Sequence, residues 1–168
     1  MADVLQKDLV FKEYSSLEHS TRTKFITRIR ELGYAAPEIL WTASEKIHGS
    51  NFSIHFNGEF VRYGRRTDFL TKDIPVPCDN PGEYFNESFY DARNLVPKFH
   101  NGILEIFGNI KHYDPKVLKF AIYGEYFGGL WPTNHPQAVK NSPKQVQKGV
   151  YYTPNHEFFA FDIFITNS

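Results

Sequence analysis

Two hydrophobic periods alternate along the chain. Over residues 20–33, STRTKFITRIRELG, the apolar positions Phe25, Ile26, Ile29 and Leu32 recur at helical spacing and share one face. Ser20 or Thr21 is placed to cap the start, and Gly33 suits a C-terminal stop. After Pro37 the period drops to two. Residues 51–56, NFSIHF, set Phe52, Ile54 and Phe56 on one side and Asn51, Ser53 and His55 on the other. Asn57-Gly58 then signals a two-residue hairpin turn, with residues 59–66, EFVRYGRR, as the return strand. Counting outward pairs Phe56 with Glu59, Asn51 with Gly64 and Gly49 with Arg66. It sets Arg66 beside residues 46–51, on the Asn51 face.

Farther on the pattern is less regular. Residues 71–82 carry three prolines, Cys78 and an Asn-Pro-Gly turn, which predicts a loop. Residues 83–118 are ambiguous, with ARNLVPKFHNGILEIF able to form one or two short helices. Residues 119–127, KFAIYGEYF, and 157–165, EFFAFDIFI, are apolar runs of strand length. Between them residues 128–145 form a long polar loop with three prolines. Strands outnumber helices, so the expected class is α+β, with antiparallel β-sheets and flanking helices in a single domain over residues 1–168.

Composition narrows the setting. The 168 residues suffice for one real core. Lys plus Arg and Asp plus Glu are both 19, so net charge gives no hint of a nucleic-acid partner, though a local patch is compatible with it. The single Cys78 excludes an internal disulfide and leans toward a reducing compartment. No apolar run approaches the roughly 18 residues of a membrane span. Residues 1–14 lack a signal-peptide core and a transit pattern. The expectation is a soluble protein of the cytoplasm or another reducing intracellular compartment, with no membrane partner.

The chemistry concentrates in residues 44–53, SEKIHGSNFS, where a lysine precedes a strand that enters the core. Taken singly, such a lysine is nearly always a solvated charge and Gly49 nearly always a turn. Taken together, Lys46, His48, Asn51, Arg65 and Arg66 gather at one hairpin end, beside a glycine that admits a ligand closely. That cluster suits a polyphosphate. It also suits a nucleophilic lysine. At a reference pKa near 10.4, about one amine in a few thousand is neutral at pH 7. Desolvation and nearby cations, such as Arg66 or a bound metal, raise that fraction. A neutral amine attacking the α-phosphorus of a nucleoside triphosphate would expel pyrophosphate and leave a phosphoramidate.

Four segments then resemble a known family, in the expected order. EKIHGSNF resembles motif I of the covalent nucleotidyltransferases, in the Lys-x-His-Gly-x-Asn form of the phage-type RNA ligase 2 family, which includes the RNA-editing ligases. GRRT at 64–67 resembles motif Ia, IYGEYFGG at 122–129 resembles motif III, and FFAFDI at 158–163 resembles motif IIIa. VQKGVYY at 146–152 is similar as well. The resemblance implies an ATP-grasp-like nucleotidyltransferase fold and an ATP-dependent RNA ligase joining 3′-hydroxyl to 5′-phosphate ends. Lys46 would take AMP from ATP. Glu45, Ile47, His48, Gly49, Asn51, Arg66, Glu125 and Phe161 would line the nucleotide site. Within it Glu125 would hold the ribose hydroxyls and Phe161 would stack on adenine. Arg66 and Asn51 would meet phosphate or the ends being joined. His48 would contact phosphate or serve a structural role. Without the resemblance, Glu125 reads as a surface charge, and Phe161 as a core residue sharing a face with Phe159, Ile163 and Ile165.

The implied cofactors are ATP and Mg2+ or Mn2+, the metal's ligands being open, and the implied partners are nicked or single-stranded RNA ends. Two departures stand out. Residues 130–145 form a longer insert than the family pattern suggests. The later Glu-Gly strand (motif IV) and Lys-x-Lys strand (motif V) do not appear, so the chain is expected to be truncated before them, the missing C-terminal segment being a possible partner. The rivals are a catalytically incomplete nucleotide- or RNA-binding fragment, and a DNA ligase or capping guanylyltransferase. The His-Gly-x-Asn form argues against the last two.

Overall fold

The computed structural model describes residues 8–15, 19–131, 134, 136, 138 and 140–168. The first seven residues and part of the predicted insert, at 132, 133, 135, 137 and 139, lie outside the described residues. The chain divides into two compact units, one of residues 14–46 and one of residues 1–13 with 47–168.

The smaller unit carries α1 (Thr23–Glu31). The helix forms where its period predicted, but its cap is not Ser20 or Thr21. The N-cap is Arg22, which makes no side-chain cap bond. Gly33 takes φ +77° just past the helix, as a C-terminal stop requires. No residue of α1 is buried, and Phe25 and Ile29 are half-buried. Trp41 donates its Nε1–H to the Tyr34 carbonyl at 2.9 Å.

The larger unit is α+β. Its strands are β1 (Ser50–Phe56), β2 (Phe60–Gly64), β3 (Ile74–Pro75), β4 (Val117–Gly128) and β5 (His156–Asn167). They form one sheet in the order β3-β2-β1-β4-β5, every neighbouring pair antiparallel. The ambiguous region resolves into α2 (Ala92–Leu95), a 3₁₀ turn (Val96–Lys98) and α3 (Ile103–Tyr113). Residues 71–82 are mostly loop, as expected, with β3 inside them. Among the described residues no helix is long and apolar enough to cross a membrane.

One face of the sheet carries the main core. Phe52, Phe56, Val61, Tyr63 and Tyr126 there have no exposed surface. Leu95, Val96 and Ile103 close over them from the helical side. Phe52 stacks near Tyr63 and Phe89 with ring centroids 5.7 and 5.8 Å apart, and meets Phe158 edge-on at 5.5 Å. Such aromatic pairs add about 0.5–1.5 kcal/mol each beyond their buried area. The many Phe and Tyr residues therefore form a rigid backing for the opposite face.

That opposite face was expected to be polar, yet Ser53 and His55 are buried as well. Residues 8–13 cross it as a strap. Phe11 lies 5.7 Å from the His55 ring, the Leu9 carbonyl accepts from Arg62, and the Lys12 carbonyl accepts from the Tyr123 hydroxyl at 2.7 Å. The strap leaves no periodic signal, because its apolar residues belong to no strand or helix.

The hairpin register differs from the sequence count. Phe56 faces Val61, and Ser53 rather than Asn51 faces Gly64, a shift of two residues. Asn57 is the cause. Its Oδ1 accepts the amides of Glu59 and Phe60 at 3.0 and 2.7 Å, so it ends the strand instead of entering the turn. Gly58 supplies the left-handed residue at φ +94°. A two-residue shift keeps each side chain on its face, so the core pattern survives the error.

Burial pushes the His55 imidazole down to about 4. The unfolded chain therefore binds more protons than the folded one between pH 6.5 and 4, and acid favours unfolding across that window. Burial lowers His100 too; it accepts from the Tyr63 hydroxyl at 2.8 Å, with the Pro75 carbonyl 3.0 Å from its other nitrogen. Stability measured by denaturant titration should be full above pH 6.5 and fall on acidification, His55 alone supplying up to about 3 kcal/mol of the loss. His55→Phe should shrink this acid limb, leaving the part supplied by His100 and, at its acid end, by the Arg65-bonded Asp68. An unchanged limb would show that His55 is solvated in the folded protein.

Candidate active site

The site is organised where residues 47–49, just before β1, meet β4 and the connection that follows it. Residues 39–48 have no regular secondary structure, so their backbone donors need other partners. Two successive amides are held by side chains from distant parts of the chain. The Gly49 N–H donates to Glu125 Oε1 at 3.0 Å. The His48 N–H donates to the Tyr152 hydroxyl at 3.1 Å. Glu45 and Lys46, both exposed, are the last residues of the smaller unit, and Ile47 begins the larger one.

Packing against β4 by itself requires glycine at position 49. A Cβ there would lie 2.2 Å from the Tyr126 carbonyl oxygen and 3.0 Å from side-chain carbons of Glu125 and Phe127. No side chain fits, because the obstructing atom is backbone. The glycine lets its own chain lie against β4.

Asn51 pairs with Glu125 across β1 and β4, and Glu125 pairs with Phe159 across β4 and β5. Paired residues share a face, so an amide, a carboxylate and an aromatic ring form one row across three strands. Asn51 and Glu125 are half-buried, and Phe159 is exposed.

Phe161 sits at an irregularity in β5. Tyr123 pairs with Asp162 and Gly124 with Ala160, which leaves Phe161 as the extra residue of a bulge. The shared face expected for Phe159, Phe161, Ile163 and Ile165 is therefore corrected. Phe159 joins the Glu125 face, while Ile163 and Ile165 pair with Ile122 and Phe120 on the core face. Phe161 is 45% exposed, which removes the core reading of it.

Arg66 does not meet Gly49. The β1–β2 ladder ends at Gly64, and Arg65 closes a turn with Asp68 through an amide–carbonyl bond of 2.9 Å. The Arg65 guanidinium is held by Asp68 and Glu87. Arg66 lies exposed in that turn, its Nε 3.5 Å from Glu13 Oε1 on the strap. Among the described residues no group of three or more His, Cys, Asp or Glu is gathered for a metal ion.

Tyr152 is the residue that motif reading passed over. It lies in the long connection between β4 and β5, its ring edge-on to Phe127 with centroids 5.7 Å apart. The connection is tied to its own base. Gly129, at φ +85°, donates its amide to the carbonyls of Thr153 and Asn155 at 3.0 and 3.1 Å. Leu130 N–H bonds the Pro143 carbonyl at 2.9 Å, and Val146 N–H the Gly128 carbonyl at 3.0 Å. Buried His156 bridges the Asp91 carboxylate and the Lys144 carbonyl, and Tyr126 donates to the same carboxylate. The only hint of this in the sequence was the similarity of residues 146–152 to the family.

Residues 39–168 match the model of the RNA ligase family. The chain is 28% identical over 170 residues to mitochondrial RNA-editing ligase 2 of Trypanosoma brucei brucei, covering 92% of this chain and 36% of that protein. It is 27% identical over 176 residues to mitochondrial RNA-editing ligase 1 of the same organism, covering 91% of this chain and 34% of that protein. The chain thus spans about a third of the length of these curated relatives.

The packing of Gly49 predicts a pair of opposite effects. Gly49→Ala should destabilise the protein by about 1–3 kcal/mol, as overpacking against fixed backbone does. Gly108→Ala, in α3 with nothing within 4 Å of the added carbon, should stabilise it by about 0.5–1 kcal/mol. Thermal melting of the two variants checks both signs. Equal melting temperatures would mean that the segment does not press on β4.

Proposed function

The chain belongs to the RNA ligase family, and from that premise we propose that it is the nucleotide-binding part of an ATP-dependent ligase working through a lysyl-AMP intermediate on Lys46. The observation that carries this reading is the Glu125 carboxylate bonded to the Gly49 amide, three residues beyond Lys46. It ties the motif I segment to the carboxylate of motif III. The α+β antiparallel sheet suits a nucleotidyltransferase fold.

The row on the sheet suits a nucleoside. A carboxylate has about four acceptor positions, so Glu125 can serve Gly49 and ribose hydroxyls together. Phe159 and Phe161 are exposed aromatics within two residues of one another, suited to a purine face. Asn51 stands beside Glu125 with an amide that donates and accepts.

In the proposed first step the neutral Lys46 amine attacks the α-phosphorus. A P–N bond forms, the bond to the pyrophosphate oxygen breaks, and the nitrogen gives up its proton to solvent. An RNA 5′-phosphate oxygen then takes the AMP from Lys46. A 3′-hydroxyl attacks the activated 5′-phosphate, the phosphodiester forms and AMP leaves. A divalent metal ion, when bound, would offset the triphosphate charge. Lys46 supplies the nucleophile, Glu125 and the aromatics orient the nucleoside, and Asn51 and Arg66 serve phosphate or the RNA ends.

The test uses the full-length natural protein, incubated with ATP and Mg2+ or with GTP and Mg2+. Intact-mass spectrometry and peptide mapping should find one AMP on Lys46, none in Lys46→Ala, and little or no GMP. Glu125→Ala should weaken ATP binding at least tenfold, the usual scale for a hydrogen bond to a charged group. An adduct on another lysine, or equal use of GTP, would refute the assignment. ATP binding with no adduct would leave a nucleotide-binding module.

A further inference from the structure

We propose that Tyr152 is a positioning residue for the lysine-bearing segment, acting through its hydroxyl on the His48 amide. The inference rests on the reading of Lys46 as the nucleophile. It adds a role for the long β4–β5 connection, which no motif assigns.

Three observations support it. The His48 N–H to Tyr152 Oη bond, at 3.1 Å, spans 104 positions of sequence and reaches the second residue after Lys46. The tyrosine is itself fixed, its ring lying edge-on to Phe127. The loop that carries it is closed at its base by Gly129, Leu130 and Val146 amides, and by the Gln145 side chain, whose amide donates to the Val150 carbonyl at 2.7 Å.

The physical reason concerns an irregular segment. Residues 39–48 have no helix or strand to limit their backbone torsions. The Gly49 bond to Glu125 fixes one peptide of this stretch, and glycine is the residue with the widest torsional freedom. A second anchor one residue earlier restricts the peptides on both sides of His48. An attack on phosphorus depends on alignment, and small misplacements of a reacting group cost large factors in rate. The connection therefore acts as a brace, with the tyrosine hydroxyl at its point of contact.

The role predicts a separable defect. Tyr152→Phe removes the hydroxyl and keeps the ring on Phe127. In the full-length protein, amide hydrogen exchange at His48 should accelerate about tenfold or more, as losing one net hydrogen bond implies. Single-turnover formation of the lysyl-AMP adduct at saturating ATP should slow about tenfold, while ATP affinity stays within about twofold. Tyr152→Leu, which also removes the ring contact, should lower the melting temperature further than Tyr152→Phe does. A residue with only a packing role would show no slowing in Tyr152→Phe. Unchanged exchange at His48 overturns the proposal, and so does faster exchange with an unchanged adenylylation rate. If the unsubstituted protein forms no adduct, the reading of Lys46 fails, and exchange at His48 alone decides whether Tyr152 holds the segment.

Discussion

The contact of Gly49 with β4 is the constraint on which the site depends. A backbone carbonyl stands where a side chain would go, so only glycine permits the approach. That approach brings the Gly49 amide to the Glu125 carboxylate at 3.0 Å. The bond orients the acid and fixes the strand entry at once. Losing this bond to a carboxylate would by itself cost about 1.5–3 kcal/mol. A shifted backbone would also disturb the Asn51–Glu125 pairing immediately beyond it, so the local geometry fails as a unit.

The aromatic core gives that contact something rigid to press on. Gly124 and Tyr126, which flank Glu125, both point to the core face, where Tyr126 is packed near Phe52, Phe89 and Tyr90. Gly124 leaves room for the Phe158 ring, since a Cβ there would come within 2.3 Å of it. Tightly packed neighbours hold side chains of a site in place better than loops do. The chemistry-bearing row lies on a central strand and its two neighbours on the opposite side of the same sheet. One face supplies stiffness, and the other carries the residues proposed to hold the nucleoside.

Much of this was legible in the sequence, and the failures have specific causes. The alternation of residues 51–56 gave the core face of β1, because period two is a direct consequence of the pleat. Asn51 and Gly49 do come together with Glu125, although Gly49 and Glu125 stand 76 positions apart in the sequence. The turn was misread by two residues because Asn57 uses its side chain to close the strand, which a dipeptide signal cannot reveal. The bulge at Phe161 was hidden because residues 158–165 are nearly all apolar, so no alternation marks the change of face. The burial of His55 depended on a strap from the far N-terminus, a long-range contact without periodicity. Arg66 lies beyond the end of the ladder, so no register count could have located it.

The anchors also separate two roles that the motif combines at His48. The sequence left open whether this residue contacts phosphate or serves the structure. The structural bond is made by its backbone N–H, which any residue but proline would provide. The imidazole is not needed for that bond, and His48 is exposed. Identity at this position is thus unexplained by the anchor itself. Gly49 is the reverse case, since its identity is fully accounted for by the space it leaves against β4. On the reading proposed above, the two residues divide the work. Gly49 brings the segment to the sheet, and the His48 amide steadies it through a bond that does not involve the imidazole.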